Sequence, residues 1–358
     1  MVKKVLKTFE VDYLQVLDEN GKADDSLMPD VSDDDLKKLY ENMVLVRTFD
    51  KKAFSMQRQG RLGTYLEVRG QEASQVGSTY AMKDKDWLFP MYRSTGALIA
   101  RGQPMVRMLQ YWGGDERGLI SPDEVNNFPI CIAVGTQSLH ALGAGWASRL
   151  TGDKLVSVVY LGDGATSKED FLSAMNFAGV FNAATVFIVE NNQFAISTHR
   201  DEQTGSETIA QKAIAFGFEG IQVDGNDALA VYKTTHEAIE KARKGDGPTL
   251  IECFTYRMGD HSTSDDAARY RDPKEVEEWS KKDPLDRMEK FLASKNLLDD
   301  AYKEKVAADS TASVKKAIDE FENMEPANPE DIFTYMYAEM PTQLKEQFEE
   351  YKAGKKNG

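Results

Sequence analysis

Two short apolar runs, separated by a helical pattern, form the centre of the sequence. The first run spans residues 156–161, the helical pattern spans 168–182, and the second run spans 185–189. A strand, a helix and a second strand within this length are typical of a βαβ unit. Because the two strands of such a unit are parallel, we expect their carboxyl ends to lie at the same edge of a sheet.

Polar residues follow each of these predicted strands. The sequence GDG, at 162–164, comes after the first strand, and ENN, at 190–192, comes after the second. Asp-Gly alone is ordinary turn chemistry, but the carboxylate of Asp163 and the amide oxygen of Asn192 together suit Mg²⁺, which completes its coordination with phosphate and water. The glycines allow close backbone approach, and a helix that begins near Ser167 directs N–H groups at an anion. The sequence therefore predicts a diphosphate site with Mg²⁺.

Helical and extended patterns elsewhere complete the predicted architecture. A helix should begin at Ser32, which can cap it, and run to about Gln59. Further helices are predicted from about 71, at 209–216 and at 229–244, and strands or extended runs at 87–91, 130–134, 220–223 and 249–256. This alternation favours an α/β fold with a doubly wound, mostly parallel sheet.

The chain is predicted to have three parts. Residues 1–30 form an N-terminal arm, residues 31–290 the α/β domain, and residues 291–358 a helical C-terminal extension packed on the same domain. The helix at 168–182 is apolar on more than one side, so we expect one side to contact the sheet and another to contact a further domain or chain. The helix at 138–150 is rich in glycine and alanine, which indicates close approach of another backbone.

Several residues outside the βαβ unit carry candidate chemistry. Tyr92 and Arg93 follow an apolar run, and Arg93 suits phosphate, although a surface salt bridge is the alternative. His140 is interpreted as a packing or hydrogen-bonding residue. Cys131 and Cys253 lie in apolar runs and are predicted to be buried free thiols.

A long polar segment follows the last predicted strand. It begins at Arg257, contains His261 and continues to about Pro273 without a regular pattern. Loops of this length within a domain are usually functional or mobile. We expect residues 259–272 to be mobile until a charged ligand orders them.

Composition and charge exclude some classes of function. The chain has 358 residues, 41% of them hydrophobic, and a formal net charge of -15. The apolar content supports a large core, while the acidic balance disfavours binding to nucleic acid and to anionic membranes. The sequence has no apolar stretch long enough to span a membrane and no apolar signal core near its start. We therefore expect a cytoplasmic protein.

Seven short motifs resemble those of one enzyme family. They are QGRLG at 59–63, GQEAS at 70–74, YR at 92–93, GTQ at 135–137, GDGATS at 162–167, ENNQFAIST at 190–198 and RMGDHSTSDD at 257–266. The chain resembles the alpha subunit of the thiamin diphosphate-dependent 2-oxo acid dehydrogenases from about Leu36 to Lys352. The whole run is most similar to the pyruvate dehydrogenases of Gram-positive bacteria. The HSTSDD loop and the pair Thr136 and Gln137 are equally similar to the branched-chain 2-oxo acid enzyme.

The resemblance implies a role for each matching residue at the metal and diphosphate end of the site. Mg²⁺ would be bound by the side chains of Asp163 and Asn192 and by the backbone carbonyl of Phe194, a position where the family often has tyrosine. The backbone of Gly164 and Ala165 would donate to the diphosphate. A further set would contact the diphosphate from other loops: Tyr92, Arg93 and Arg257.

The remaining implied roles concern the aminopyrimidine, a monovalent cation and the loop. Ile132 and Val134 would contact the aminopyrimidine through backbone groups, and Thr136 and Gln137 would help to hold K⁺. The resemblance also gives His261 and Arg257 catalytic roles, His261 in positioning the cofactor or assisting acyl transfer to lipoamide. Ser262 matches a position that is phosphorylated in eukaryotic members, but we interpret it as an ordinary loop serine.

The family also implies partners. The glutamate that acts on the aminopyrimidine belongs to the beta subunit in this family, so the resemblance implies an α₂β₂ assembly. It would act on a small 2-oxo acid and dock on a lipoyl-bearing dihydrolipoyl acyltransferase core.

Four alternatives remain open from the sequence. Two are the alpha subunit of a branched-chain 2-oxo acid dehydrogenase and that of an acetoin dehydrogenase. A non-catalytic assembly subunit is a third, and the presence of Asp163, Asn192, Arg257 and His261 argues against it. The fourth is an unrelated magnesium-nucleotide protein, but the phosphate-loop pattern GxxxxGKS or GxxxxGKT does not occur.

Overall fold

A parallel sheet of seven strands lies at the centre of the computed structural model, which describes residues 3–357. In chain order the strands are β1 (Asp12–Leu14), β2 (Trp87–Phe89), β3 (Asn126–Asn127), β4 (Ser157–Gly162), β5 (Thr185–Asn191), β6 (Phe194–Ala195), β7 (Thr198–His199), β8 (Glu219–Asp224) and β9 (Thr249–Phe254). The order across the sheet is β1-β8-β9-β5-β4-β2-β3, and all its neighbours are parallel. Strands β6 and β7 form a separate antiparallel pair.

Helices connect most of these strands. They are α1 (Asp33–Arg58), α2 (Glu72–Tyr80), α3 (Thr95–Ala100), α4 (Met105–Trp112), α5 (Gln137–Thr151), α6 (Glu169–Phe181), α7 (Arg200–Gln203), α8 (Lys212–Ala215), α9 (Ala228–Lys244), α10 (Pro273–Ser280), α11 (Pro284–Ser294), α12 (Asp300–Glu322), α13 (Asp331–Thr334) and α14 (Thr342–Asn357). Short 3₁₀ helices occur at Glu116–Leu119, Asp163–Ser167 and Ala267–Arg269.

The two faces of the sheet are covered by different helices. On one face, α5 and α6 share a buried cluster with Val159, Leu161 and Phe187. On the other face, Tyr160 forms a 2.5 Å hydrogen bond with Ser78 of α2. Because neighbouring residues of β4 point to opposite faces, its almost continuous apolar sequence is buried on both sides. The predicted α/β class and doubly wound sheet are confirmed.

The predicted βαβ unit consists of β4, α6 and β5. The two strands pair in parallel register, with Gly162 opposite Glu190, so both chains leave the sheet at the same edge. The helix predicted from Ser32 is α1. The Ser32 hydroxyl accepts from the backbone N–H of Asp35, and the Asp35 carboxylate accepts from that of Ser32. Such a cap stabilises a helix by about 0.5–2 kcal/mol.

The N-terminal arm contributes an edge strand that the sequence pattern did not reveal. Residues 12–14 pair with β8, and the Asp227 carboxylate then accepts from the backbone N–H groups of Val16 and Leu17, each at 2.6 Å. A three-residue strand is too short for an alternating pattern to be recognised. A turn follows in the arm, where the N–H of Gly21 donates to the carbonyl of Asp18.

Three local predictions differ from the structure. The segment 130–134 is not a buried strand: it contributes a single bridge at Cys131, and Ile132 is 53% exposed. Cys131 is therefore only half-buried, whereas Cys253 is buried, and both are free thiols. The helix predicted at 209–216 is limited to α8, because the N–H groups of Ile209 and Ala210 bond instead to the buried carboxylate of Glu252.

The predicted second apolar face of α6 is exposed in the single chain. Leu172, Phe177 and Val180 are all accessible, and Trp146 of α5 stacks on Phe181 with ring centroids 4.1 Å apart. The predicted close approach of another backbone to α5 occurs at the start of β5. A Cβ on Gly145 would lie 2.7 Å from the carbonyl oxygen of Ala184. These features leave an exposed apolar surface on α5 and α6, and its contact with a further domain or chain stays a prediction.

The chain separates into two compact units, one up to Ile318 and one from Asp319. In the second unit, Phe333 of α13 packs against Phe348 and Tyr351 of α14. The predicted packing of residues 291–358 on the α/β domain stays a prediction. None of the helices within residues 3–357 has the length and apolar character needed to cross a membrane. A cytoplasmic location also stays a prediction.

Candidate active site

The carboxyl ends of β4 and β5 border a cavity of about 470 Å³. Asp163 directly follows β4, Asn192 directly follows β5, and both line this cavity. Among the residues predicted to bind the cofactor, those on the wall are Tyr92, Arg93, Ile132, Val134, Asp163, Gly164, Ala165, Asn192, Phe194 and His261. The fold thus brings together side chains from five separate segments of the chain.

Asp163 is almost completely buried. Its Oδ2 accepts a 2.6 Å hydrogen bond from Nε2 of Gln203. Burial raises the pKa of the Asp163 carboxyl, and both this hydrogen bond and the charge of Arg257 oppose the rise. Because a buried carboxylate gains strongly from a cation beside it, Asp163 could hold a metal ion.

Asn192 lies in a tight turn that presents oxygen atoms. Gln193, the next residue, has a φ of 72°, and the Asn192 Oδ1 accepts from the backbone N–H of Phe194 at 3.3 Å. The Phe194 carbonyl oxygen accepts from Nη1 of Arg257 at 3.1 Å. A carbonyl oxygen has two lone pairs, so this bond leaves one for a metal ion.

Two glycines shape the wall beside Asp163. A Cβ on Gly164 would lie 2.6 Å from the Cβ of Ala195, whereas a Cβ on Gly162 would project into open space. The predicted helix near Ser167 begins later, as α6 at Glu169, and a 3₁₀ helix, Asp163–Ser167, occupies the turn. The N–H groups that an anion would meet there are therefore those of a 3₁₀ turn, not those of α6.

Positive charge is concentrated behind the Phe194 turn. Burial lowers the pKa of Arg257 to about 10, with smaller contributions from the charges of Arg93 and Arg271. Arg257 donates to the carbonyl oxygens of Phe194 and Ile196, and its Nε is buried without a partner in the described structure. Arg257 does not line the cavity, so its direct contact with a diphosphate stays a prediction. Buried, mutually repelling guanidinium groups favour a polyanion nearby.

His261 is held as a neutral donor. Burial lowers its pKa to about 4, and the charges of Arg93 and Arg257 act in the same direction. Its Nδ1 lies 3.2 Å from Nη2 of Arg93. Since a guanidinium can only donate, the neutral ring accepts at Nδ1 and carries its proton on Nε2. Tyr92 packs edge-on against the ring at 6.0 Å.

Of the two residues predicted to hold K⁺, Gln137 lines the cavity and Thr136 directly precedes it in the chain. The hydroxyl of Thr136 donates to Asp170 at 2.9 Å, and Nε2 of Gln137 donates to the carbonyl of Tyr160 at 2.8 Å. The Oε1 of Gln137 is buried and has no partner in the described structure. This unpaired oxygen is a suitable ligand for a monovalent cation.

Comparison with known proteins gives the family. The family described as "Dehydrogenase E1 component" matches residues 40–330. A "Pyruvate dehydrogenase E1 component subunit alpha" from Staphylococcus aureus strain Mu50 is 43% identical over 343 residues, which cover 95% of this chain and 93% of the relative. The protein of the same description from Staphylococcus epidermidis strain RP62A is 42% identical over the same shares. This chain belongs to the dehydrogenase E1 component family. The family inferred from the motifs is thus confirmed.

Two side chains of this E1 component were missed as parts of the site. Gln203 bonds to Asp163, and Gln71 accepts from Nδ2 of Asn192 at 2.9 Å. Gln203 lies in a polar segment with no recognisable pattern, so the sequence offered no signal for it. Gln71 is in the GQEAS motif, which marked it without indicating what it contacts.

The loop after β9 is hydrogen-bonded to the segment that precedes α2. The N–H of Thr263 donates to the carbonyl of Tyr65 at 3.0 Å, and the N–H of Tyr65 donates to the Thr263 hydroxyl at 3.2 Å. Arg93 also donates to the carbonyl of His261, at 2.8 Å. Thr263 and Arg93 together therefore hold His261 against the cavity.

We expect Thr263→Val to open this loop more often. The change leaves the buried N–H of Tyr65 without an acceptor, at a cost of about 1–3 kcal/mol. Limited proteolysis within 259–272 should become roughly tenfold faster, and thiamin diphosphate with Mg²⁺ should slow it. Thr311→Val, on the exposed side of α12, is the matched control. If the two variants are cleaved at the same rate, the Thr263 contacts do not hold the loop. If the cofactor gives no protection, the predicted ordering of the loop is wrong.

Proposed function

We propose that this chain is the alpha subunit of a pyruvate dehydrogenase. With a beta subunit it would catalyse the thiamin diphosphate-dependent oxidative decarboxylation of pyruvate and the reductive acetylation of a lipoyl group. One observation carries the proposal: Asp163, Asn192 and the Gly164 turn line the same cavity. The buried charges of Arg93 and Arg257 lie beside them. The similarity to the Staphylococcus pyruvate dehydrogenase subunits over nearly the whole chain supports pyruvate as the substrate.

The donor set fits the diphosphate and Mg²⁺. Asp163 and Asn192 would bind the metal through side-chain oxygens and Phe194 through its free carbonyl lone pair, and oxygen is the ligand that Mg²⁺ prefers. The backbone of Gly164 and Ala165 would face the diphosphate across the open space that Gly162 leaves. The absence of a Cβ at Gly162 keeps that space clear.

The aminopyrimidine would lie beside Ile132 and Val134, which line the cavity. Their backbone groups would contact it, since the segment 130–134 is not a strand of the sheet. Gln137 Oε1, together with Thr136, would hold K⁺ nearby.

Thiamin diphosphate, when bound, would supply the nucleophilic carbon and the electron sink for decarboxylation. This chain's residues would orient the reactants and exclude water. His261, neutral at pH 7, would present its Nε2 proton to a developing negative charge, and Arg93 would keep the ring in that tautomer. The loop after β9, held by Thr263, would close the cavity over the reacting groups.

The composition of the cavity wall supports a partner chain. Among the described residues that line the cavity, Asp163 supplies the only carboxylate, and a carboxylate committed to Mg²⁺ cannot also serve the aminopyrimidine. The rim is apolar and exposed at Ile132, Val134 and Ile196. We propose that a beta subunit covers this rim and supplies the missing glutamate, in an α₂β₂ assembly docked on a lipoyl-bearing dihydrolipoyl acyltransferase core.

A branched-chain substrate is the second candidate, because the HSTSDD loop and the Thr136–Gln137 pair fit that enzyme equally well. The test is a substrate panel with the reconstituted alpha and beta pair. We expect kcat/KM for pyruvate to exceed that for 3-methyl-2-oxobutanoate by at least about tenfold, the discrimination that one or two methylene groups usually give. A preference for the branched substrate, or for acetoin, would replace pyruvate in the proposal.

A further inference from the structure

We infer that Gln71 is a positioning residue that fixes the amide of Asn192 with its oxygen toward the metal. The inference rests on the proposed function, since it assumes that Asn192 is a metal ligand. Gln71 lies immediately before α2, is fully buried, and accepts from Nδ2 of Asn192 at 2.9 Å. It belongs to a different segment from every proposed metal ligand.

The orientation of the Asn192 amide follows from counting donors and acceptors. The N–H of Phe194 points at one end of this amide, so that end must be the oxygen Oδ1. The other end is then the NH₂ group, which needs an acceptor. Oε1 of Gln71 is that acceptor. If both amides were reversed, the N–H of Phe194 would face an NH₂ group, and two donors would oppose each other.

The backbone sets this orientation only in part, through the 3.3 Å bond from the N–H of Phe194. The N–H of Asn192 donates to the carbonyl of Glu190, and the carbonyl of Asn192 accepts from the N–H of Arg257 at 3.2 Å. These bonds fix the path of the chain. Without Gln71, only the bond from Phe194 would oppose a rotation of the Asn192 side chain that exchanges its oxygen and nitrogen. A metal ion accepts only the oxygen.

The Gln71 side chain must point its Oε1 at Asn192, because the NH₂ group of Asn192 can only donate. The backbone N–H of Gln71 donates to the carbonyl of Val68 at 2.9 Å, which anchors the residue at the start of α2. Its Nε2 is buried and has no partner in the described structure. Buried donors are normally paired. Because Nε2 has no partner in the described structure, the hydrogen bond that Oε1 accepts from Asn192 is the contact that places this side chain.

The test compares Gln71→Met, which removes the acceptor at similar volume, with Gln71→Glu, which keeps it. The measurement is the titration of thiamin diphosphate into the reconstituted alpha and beta pair, by calorimetry, over a series of Mg²⁺ concentrations. We expect Gln71→Met to raise the Mg²⁺ concentration at half-maximal binding about 10- to 100-fold, the usual effect of losing a group that orients a metal ligand. Saturating Mg²⁺ should restore the wild-type affinity for thiamin diphosphate, and Gln71→Glu should need no more Mg²⁺ than the wild type.

Each other outcome has a distinct meaning. The orienting role is wrong if Gln71→Met leaves the Mg²⁺ dependence unchanged. It is also wrong if Gln71→Glu raises the Mg²⁺ concentration at half-maximal binding as much as Gln71→Met does. If saturating Mg²⁺ does not restore binding to Gln71→Met, Gln71 supports the fold instead, which also overturns the inference. Asp163→Ala in the same titration separates the two levels: its Mg²⁺ dependence must change if the metal site is where we propose. No change in Asp163→Ala would defeat the proposed site itself, whatever Gln71 does.

Discussion

Asp163→Ala should abolish the Mg²⁺-dependent binding of thiamin diphosphate while leaving the fold intact. We expect the affinity of the reconstituted pair for the cofactor to fall at least about 100-fold, because the change removes the only carboxylate that the described cavity wall offers to the metal. The measurement is calorimetric titration of thiamin diphosphate with Mg²⁺ present. An unchanged affinity would mean that the metal lies elsewhere.

The same substitution should not destabilise the folded chain in the absence of ligands. Burial raises the pKa of Asp163, so at neutral pH folding carries an unfavourable contribution from the charged carboxylate. Its removal should leave the free energy of unfolding equal or slightly higher, even though Gln203 loses one acceptor. Asp153→Ala is a useful control, since that exposed carboxylate accepts from Ser148 and Thr151 at the end of α5 and has no part in the cavity.

The second large effect concerns the chain without its partner. The isolated chain should show no measurable decarboxylation of pyruvate with an artificial electron acceptor. It carries the residues proposed for the metal and the diphosphate, but the described cavity wall has no second carboxylate to act on the aminopyrimidine. General acid–base catalysis of this kind contributes about 10²–10⁴-fold. The open rim at Ile132 and Ile196 would also admit water to the reacting groups.

The βαβ unit shows what the sequence could predict. Its strands have apolar sequences, its helix has a clear period, and the polar residues that follow each strand are set by the chain path. Parallel pairing of β4 and β5 then forces Asp163 and Asn192 to one sheet edge, so their proximity followed from the topology alone.

The contacts that orient these two ligands could not be predicted in this way. Gln203 and Gln71 reach Asp163 and Asn192 from segments distant in sequence, and no periodic pattern encodes which amide meets which ligand. Likewise, the motif implied that Arg257 contacts the diphosphate, without showing where its side chain lies. Its place behind Phe194 depends on side-chain packing that only the folded structure defines.

We propose that this chain forms half of a catalytic site, and titration of the beta subunit into a fixed amount of the chain tests this proposal. Pyruvate decarboxylation should be absent without the beta subunit, rise in proportion to the amount added, and level off at an equal number of alpha and beta chains. Turnover by the chain alone, at a rate comparable with that of the saturated pair, would mean that this chain holds a complete catalytic site.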